Sequence, residues 1–488
     1  MLFQLNGHTL VTRRILMTEK LYWDPELIQR YNRSGPRYTS YPTAVEFKVV
    51  ENDQAEKDLL SQRDPNVPLS LYLHIPFCAH VCYYCGCNKI VTRDRSKSEP
   101  YLELLKAEID KKAELLQGHP IVEQMHWGGG TPTFLSDEQM TDLMAHLRKR
   151  FKFSTAKSAD YSIEIDPREV RPTTLKHLRK LGFNRTSFGV QDLNEIVQKA
   201  VNRIQPESMI RQVMSEAREL GFRSINIDLI YGLPHQNQQT FAETLDVIID
   251  MSPDRLSIFN YAHLPERFKP QRRINEEDLP SPEEKLAILG NCITTLTREG
   301  YHYVGMDHFA KPDDELSRAQ ADKQLHRNFQ GYTTHGECDL IGFGVSSISQ
   351  ISDCYLQNSP DMTAYENAIQ EQRLPNVKLI ETNKDDLIRR QVIMELLCHD
   401  RMVFNDLDQE FDIDSRNYFS NELEKLTPMI EDELLIRDEK GIHITEKGRL
   451  LVRNACMVFD TYLNANILQT YSASADANNN RPRFSKAI

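Results

Sequence analysis

Four cysteines, Cys78-x3-Cys82-x2-Cys85-x-Cys87, share one short stretch of chain. Thiolates at that spacing can converge from a single loop on an iron–sulfur centre, which favours soft sulfur ligands. A [4Fe–4S] cubane held by three cysteines keeps its fourth iron open to a small chelating ligand. In extended backbone the second cysteine of a C-x-C pair faces the other side. On that reasoning Cys78, Cys82 and Cys85 are the ligands and Cys87 is the odd one out. A structural zinc site is the competing reading, but it ordinarily uses two separated C-x2-C pairs, which one compact run matches poorly. Cys292, Cys338, Cys354, Cys398 and Cys456 are scattered, mostly in apolar patterns, as small core residues are.

Two further stretches offer ligand-binding groups. Gly128-Gly129-Gly130-Thr131 follows a strand-like run, and missing side chains let backbone approach a ligand. A tight turn explains a lone glycine run equally well. In Tyr161-Ser162-Ile163-Glu164-Ile165-Asp166, alternation sets Glu164 on the face opposite Ile163 and Ile165. A carboxylate at a strand's C-terminal end can accept hydrogen bonds from ribose hydroxyls, whereas a salt-bridged surface glutamate is the plainer alternative.

The elements that must position these groups alternate regularly. Strands are predicted at Ser70–Ile75, Gln124–Trp127, Tyr161–Ile165, Arg185–Val190, Ser224–Ile230 and Arg255–Tyr261. Amphipathic helices such as Glu99–Leu116, Ser136–Phe151 and Ser208–Leu220 lie between them. Repeated β-then-α units imply parallel strands with right-handed crossovers, and six of them suit an α/β fold of the incomplete (β/α)6 TIM-barrel type. An open doubly wound sheet fits the same pattern. Residues 17–69 read as an irregular N-terminal arm, 70–375 as the barrel core with an extension, and 376–470 as a mainly helical C-terminal domain. That last domain has helices at Asp385–Asp400, Leu407–Phe411 and Asn417–Leu426, a hairpin at Leu434–Thr445 and a helix from Glu446, a winged-helix-like order. Residues 471–488 form a tail. Residues 1–16 read as an upstream extension before a start at Met17.

Composition narrows the function classes. A net charge of −12 argues against coating nucleic acid or anionic membrane, and acidic side chains outnumber basic ones in the winged-helix-like part, the reverse of what phosphate binding needs. No apolar run is long enough to cross a bilayer, and Met1–Leu16 lacks the apolar core of a signal peptide. Nine cysteines without a secretory signal imply reduced thiols or metal ligands and a cytoplasmic address.

The C-x3-C-x2-C loop resembles that of the radical S-adenosylmethionine (SAM) superfamily. Its surroundings resemble the oxygen-independent coproporphyrinogen III oxidases (coproporphyrinogen dehydrogenases). The matching segments include Gly35-Pro36-Arg37-Tyr38-Thr39-Ser40-Tyr41-Pro42-Thr43, Tyr72-Leu73-His74-Ile75-Pro76-Phe77-Cys78 and Tyr84-Cys85-Gly86-Cys87-Asn88-Lys89. Gly128-Gly129-Gly130-Thr131-Pro132-Thr133, Gly189-Val190-Gln191-Asp192 and Asn328-Phe329-Gln330-Gly331-Tyr332 continue the likeness, which runs from about Leu21 to the C-terminus. The resemblance implies a [4Fe–4S] cluster on three cysteines and two SAM molecules. It assigns Tyr72, Gly129, Glu164 and Ile348 to the SAM on the cluster. It assigns Tyr84, Gly130, Thr131, Gln191, Arg203, Asp228 and Ala262 to the second, with Tyr84 standing where relatives often carry Phe.

The implied chemistry is oxidative decarboxylation in porphyrin (haem) biosynthesis. SAM cleavage yields a 5′-deoxyadenosyl radical, which takes a hydrogen from a propionate β-carbon. The substrate radical then loses carbon dioxide and one electron to leave a vinyl group. Two such events turn coproporphyrinogen III into protoporphyrinogen IX. The resemblance also implies an external low-potential donor of flavodoxin or ferredoxin type, and a monomer is expected. Arg33, Arg37, Lys89 and Arg93 are available near the loop for the substrate carboxylates, unranked, with plain surface charge as the alternative for each. Two rivals stand beside this reading: a related radical SAM enzyme acting on haem itself, and a haem-trafficking chaperone that keeps the cysteine motif.

Overall fold

Short runs with alternating apolar residues build six parallel strands whose apolar side chains are buried, while half-buried polar residues between them face the barrel interior. They are β1 (Leu69–Ile75), β2 (Ile121–Gly129), β3 (Asp160–Ile165), β4 (Arg185–Gln191), β5 (Ser224–Tyr231) and β6 (Arg255–Asn260). The computed structural model describes residues 21–463; the expected upstream extension 1–16 and tail 471–488 lie outside the described residues. The six strands pair in parallel and in sequence order, each followed by a helix: α1 (Ser98–Leu115), α2 (Asp137–Arg150), α3 (Thr174–Leu181), α4 (Glu207–Glu219), α5 (Gln238–Asp250) and α6 (Pro282–Arg298). A doubly wound sheet reverses its strand order at a switch point. Among these six units the order never reverses, so the fold is the incomplete barrel and the open doubly wound alternative falls.

Local chemistry sets the helix ends. Ser136 and Gln139 form a capping box at the start of α2, and Asn237 and Thr240 form another at α5. Each satisfies backbone donors that a helix start leaves open, worth about 1 kcal/mol. Along β5, Ile225, Ile227 and Leu229 are buried on the helix side, while Asn226, Asp228 and Ile230 alternate to the interior. That period of two places polar groups inside the barrel.

The sheet stays open because its edges carry other strands. β7 (His302–Gly305) and β8 (His308–Ala310) run antiparallel beyond β6. On the other edge, β9 (Asp339–Phe343) joins β1 in parallel, and β10 (Ile348–Ile351), β11 (Cys354–Asn358) and β12 (Asn376–Glu381) add an antiparallel extension. The boundary drawn at residue 376 is therefore corrected, since β12 belongs to the large sheet. The arm is also less irregular than its sequence implied: it holds helices at Pro25–Tyr31 and Gln54–Gln62, and Lys48–Val49 pairs with β12.

Beyond β12, α7 (Lys384–His399), short helices between 404 and 431, a three-stranded sheet and α8 (Val452–Phe459) make the winged-helix-like order. The arm from Tyr31 to Pro42 clasps this part to the barrel, where Arg37 pairs with Asp307. Tyr38 donates to Asp460 Oδ2 at 3.0 Å, Tyr31 to Asp432 Oδ2 at 2.6 Å, and the Arg453 guanidinium donates to the Pro36 carbonyl at 3.1 Å.

Candidate active site

The cysteine loop leaves the C-terminal end of β1 and is tied at both ends. Phe77–Cys78 pairs with Ile90–Val91, and the Thr92 amide donates to the Cys78 carbonyl at 2.9 Å. The glycine run after β2 closes against it: Gly130 N–H donates to Ile75 O and Thr131 N–H to Phe77 O, both at 2.8 Å. The absence of side chains here serves the protein's own packing. A Cβ on Gly130 would stand 2.7 Å from the Phe77 carbonyl oxygen. Gly129 has φ of +108°, and a Cβ there would meet the His74 ring at 2.6 Å. Both conditions select glycine.

Cys78, Cys82, Cys85 and Cys87 line one cavity of about 250 Å³ with Gly129, Gly130, Thr131, Glu164, Gln191, Arg203 and Asp228. Cys78 Sγ lies 3.6 Å from Thr131 Oγ1. Cys82 Sγ faces two guanidinium groups, Arg168 at 3.3 Å and Arg203 at 3.4 Å. Lys89 donates to the Cys85 carbonyl at 3.0 Å. These cations give the loop the positive surroundings that thiolate ligands need. Burial pushes the Cys78 thiol up to about 12. The hydrogen bond from Cys87 holds Cys85 down, to about 5, against burial.

Cys87 does not turn away as the extended-chain reading expected. The backbone bends at Cys87, its N–H points to Cys85 Sγ at 3.4 Å, and its side chain lines the same cavity. Among the described residues, three ligating groups come within 4.8 Å of one another only at His335, Glu337 and Cys338. The loop thiols are thus spread more widely than one tetrahedral zinc ion requires, which suits a larger centre.

Glu164 accepts from Gly129 N–H at 3.1 Å and meets His126 Nε2 at 3.3 Å. Burial opposes its charge, yet His126 and Gly129 outweigh it and hold the carboxyl below its usual range. Tyr72 stacks on His126 at 6.0 Å and its hydroxyl meets His74 Nδ1 at 3.1 Å, so it backs this group without lining the cavity. Gln191 sits at a β-bulge with φ of +70°, a strained conformation that aims its side chain past Gly189.

Asp228 accepts from Ser187 at 2.8 Å and Asn226 at 2.7 Å, and burial pushes its carboxyl up to about 6. Tyr84 lines the cavity, and Gln271 Nε2 joins its carbonyl at 2.8 Å to that of Ala262 at 3.2 Å. Ala262 itself lines a separate, larger cavity beside Tyr261 and Lys285. Ile348 lies on β10, two strands outside β1, and does not line the cysteine cavity.

Sequence reasoning assigned no role to Asp166 and Arg168, which with Arg203 organise the charge of the cavity. Asp166 receives Arg168 at 2.7 Å and Arg203 at 3.0 Å; burial resists its ionisation, but the two arginines hold it down to about 2. Asp166 and Arg168 directly follow the β3 end that carries Glu164, so the barrel rule for strand ends would have flagged them. His74, His126, Ser187 and Asn226 carried no spacing signal. Of the cations considered for substrate, Lys89 lines the cavity, Arg37 pairs with Asp307 and lies over Phe259 of the cavity wall without lining it itself, and Arg33 and Arg93 are exposed. Of the five scattered cysteines, all but the half-buried Cys338 are buried.

Comparison with known proteins places the whole chain. Residues 72–248 match the family model of the radical SAM superfamily, and residues 382–451 match the HemN C-terminal domain. The chain is 52% identical to an oxygen-independent coproporphyrinogen III oxidase of Pseudomonas aeruginosa over 97% of this chain and 100% of the relative. The Escherichia coli (strain K12) enzyme of the same name is 52% identical over 92% of this chain and 97% of its own length. The solved structure of the Escherichia coli coproporphyrinogen III oxidase, a radical SAM enzyme, superposes with a TM-score of 0.87 at 51% identity, covering 91% of this chain and 100% of that one.

Proposed function

The chain belongs to the radical SAM oxygen-independent coproporphyrinogen III oxidases, and from that membership we propose that its cysteine-lined cavity is where two propionates of coproporphyrinogen III become vinyl groups, giving protoporphyrinogen IX. The chain is an oxidoreductase of porphyrin (haem) biosynthesis. The supporting observation is that Cys78, Cys82 and Cys85 meet Gly129, Glu164, Gln191, Arg203 and Asp228 around one cavity at the C-terminal ends of the strands. Barrel enzymes work at that end.

The residues present fit an iron–sulfur cluster and SAM. Cys78, Cys82 and Cys85 would hold the cluster; all three are free thiols, and two guanidinium groups face Cys82. When bound, the reduced cluster supplies the electron that cleaves SAM into methionine and a 5′-deoxyadenosyl radical. Glu164, Gly129, Tyr72 and Ile348 are our candidates for the first SAM. Tyr84, Gly130, Thr131, Gln191, Arg203, Asp228 and Ala262 are those for a second.

The chain's own part is positioning. Arg203, fixed by Asp166 and the Gly189 carbonyl, has a buried Nε without a protein partner, a donor left for a ligand acceptor. Asp228 and Glu164 offer carboxylate oxygens from neighbouring interior positions. Buried Phe77 and the backbone bonds from Gly130 and Thr131 hold the start of the loop against the barrel, and Cys82 alone of the loop thiols is buried.

An external flavodoxin- or ferredoxin-like donor would deliver the electron, and we take the chain as a monomer. No described helix is long and apolar enough to cross a membrane, and reduced thiols suit the cytoplasm. Electron paramagnetic resonance of the reduced, iron-reconstituted protein tests the site. Adding SAM should shift the cluster signal, whereas a signal indifferent to SAM would remove the open-iron reading.

A further inference from the structure

At the opposite end of the barrel, where β9 enters the sheet, His335, Glu337 and Cys338 gather their ligating atoms within 4.8 Å of one another. The register puts Asp339 beside Leu69, the first residue of β1, so this group lies a strand length, about 20 Å, from the cysteine loop. We propose that His335, Glu337 and Cys338 form a second, independent metal site that takes one divalent zinc-class ion on three protein ligands, with solvent in the fourth position.

Three observations converge. The first is spacing: tetrahedral bonds of about 2.0–2.3 Å set neighbouring ligand atoms about 3.3–3.6 Å apart. Here Glu337 Oε1 lies 3.5 Å from His335 Nδ1 and 3.6 Å from Cys338 Sγ. The second is the tautomer. His335 Nε2 stands 3.2 Å from the Ser158 carbonyl, which can only accept, so that nitrogen carries the proton and Nδ1 can present its lone pair. Metal-bound histidines are held by the same outer hydrogen bond. The third is the loop. The His335 amide donates to Thr333 Oγ1 at 3.0 Å and the Cys338 amide to the His335 carbonyl at 3.4 Å. Gly336 between them has no room for a Cβ, which would overlap the His326 ring at 2.2 Å. His335 is buried, Cys338 half-buried and Glu337 exposed, which gives an ion an entry path from solvent. Binding a divalent ion releases the thiol proton of Cys338 and involves no redox step.

The test uses the iron-reconstituted protein, equilibrated anaerobically with Zn²⁺, desalted and analysed for both metals. The expected result is one zinc per chain beyond the iron. Cys338→Ala and the surface change Glu337→Gln should keep the iron but lose that zinc, each weakening Zn²⁺ binding by more than the roughly 10–100-fold that outer hydrogen-bond changes cost. Cd²⁺ should give a sulfur-to-metal charge-transfer band that disappears in Cys338→Ala. Zinc retained by both variants, or no zinc in the parent, would overturn the site and leave His335 and Glu337 as an ordinary ion pair. Either outcome is separable from the porphyrinogen reaction, whose residues sit at the other end.

Discussion

Thiols that share a cavity need not share a role. Cys78→Ser, Cys82→Ser or Cys85→Ser should each abolish the brown cluster and all turnover, read as iron content and visible absorbance. Cys87→Ser should keep its iron although Cys87 lines the same cavity; loss of iron there would refute the three-ligand set. Asp228 is costly in its charged form. Its folded carboxyl ionises at about 6, above the ordinary carboxylate value near ~3.9, so the folded state holds the proton more tightly than the unfolded one. Its contribution to stability is full below the unfolded value and falls as pH rises toward 6. Without SAM, Asp228→Asn should therefore raise stability at pH 7 by roughly 1 kcal/mol or more, flatten melting temperature between pH 4 and 6, and impair turnover. A variant no more stable than the parent at pH 7 would count against a buried carboxylate.

At the scale of elements, the glycine run carries more than its sequence suggested. A ligand-approach or tight-turn reading was available for Gly128-Gly129-Gly130, but the constraint comes from His74 and from the Pro76–Phe77 backbone, which only folding brings near. Gly130→Ala should push the cysteine loop away and lower iron incorporation although no ligand changes. Full iron content in that variant would show that the loop has slack. The six parallel strands were legible because buried, bounded apolar runs and amphipathic helices alternate without interruption. β7 to β12 were not: they are three to six residues long and mostly antiparallel, so periodicity had too few residues to register. The bend at Cys87 was equally hidden, since the reasoning assumed extended backbone.

At the scale of the whole molecule, the arm, barrel and extension are joined by charge. Lys112 is fully buried in α1, with Glu56 of the arm at 3.0 Å, Glu108 at 2.9 Å and the Gly342 carbonyl of β9 at 2.9 Å. Glu108 in turn accepts from Tyr365 and from Asn358, both at 2.7 Å. Removing the cation strands two buried carboxylates, so Lys112→Met should destabilise the protein by roughly 3–5 kcal/mol. Chemical denaturation of the apoprotein would show it, and a loss under about 1 kcal/mol would mean water reaches the pair.

The barrel, clasp and cavity together exist to confine one reaction, and that reaction is measured directly. Iron-reconstituted protein, SAM, a low-potential reductant and coproporphyrinogen III are combined without oxygen, and products are followed by mass and fluorescence. The account predicts loss of two carbon dioxide units per macrocycle with 5′-deoxyadenosine in matching amount. SAM cleaved while the porphyrinogen stays intact, or stable binding of haem without decarboxylation, would contradict it.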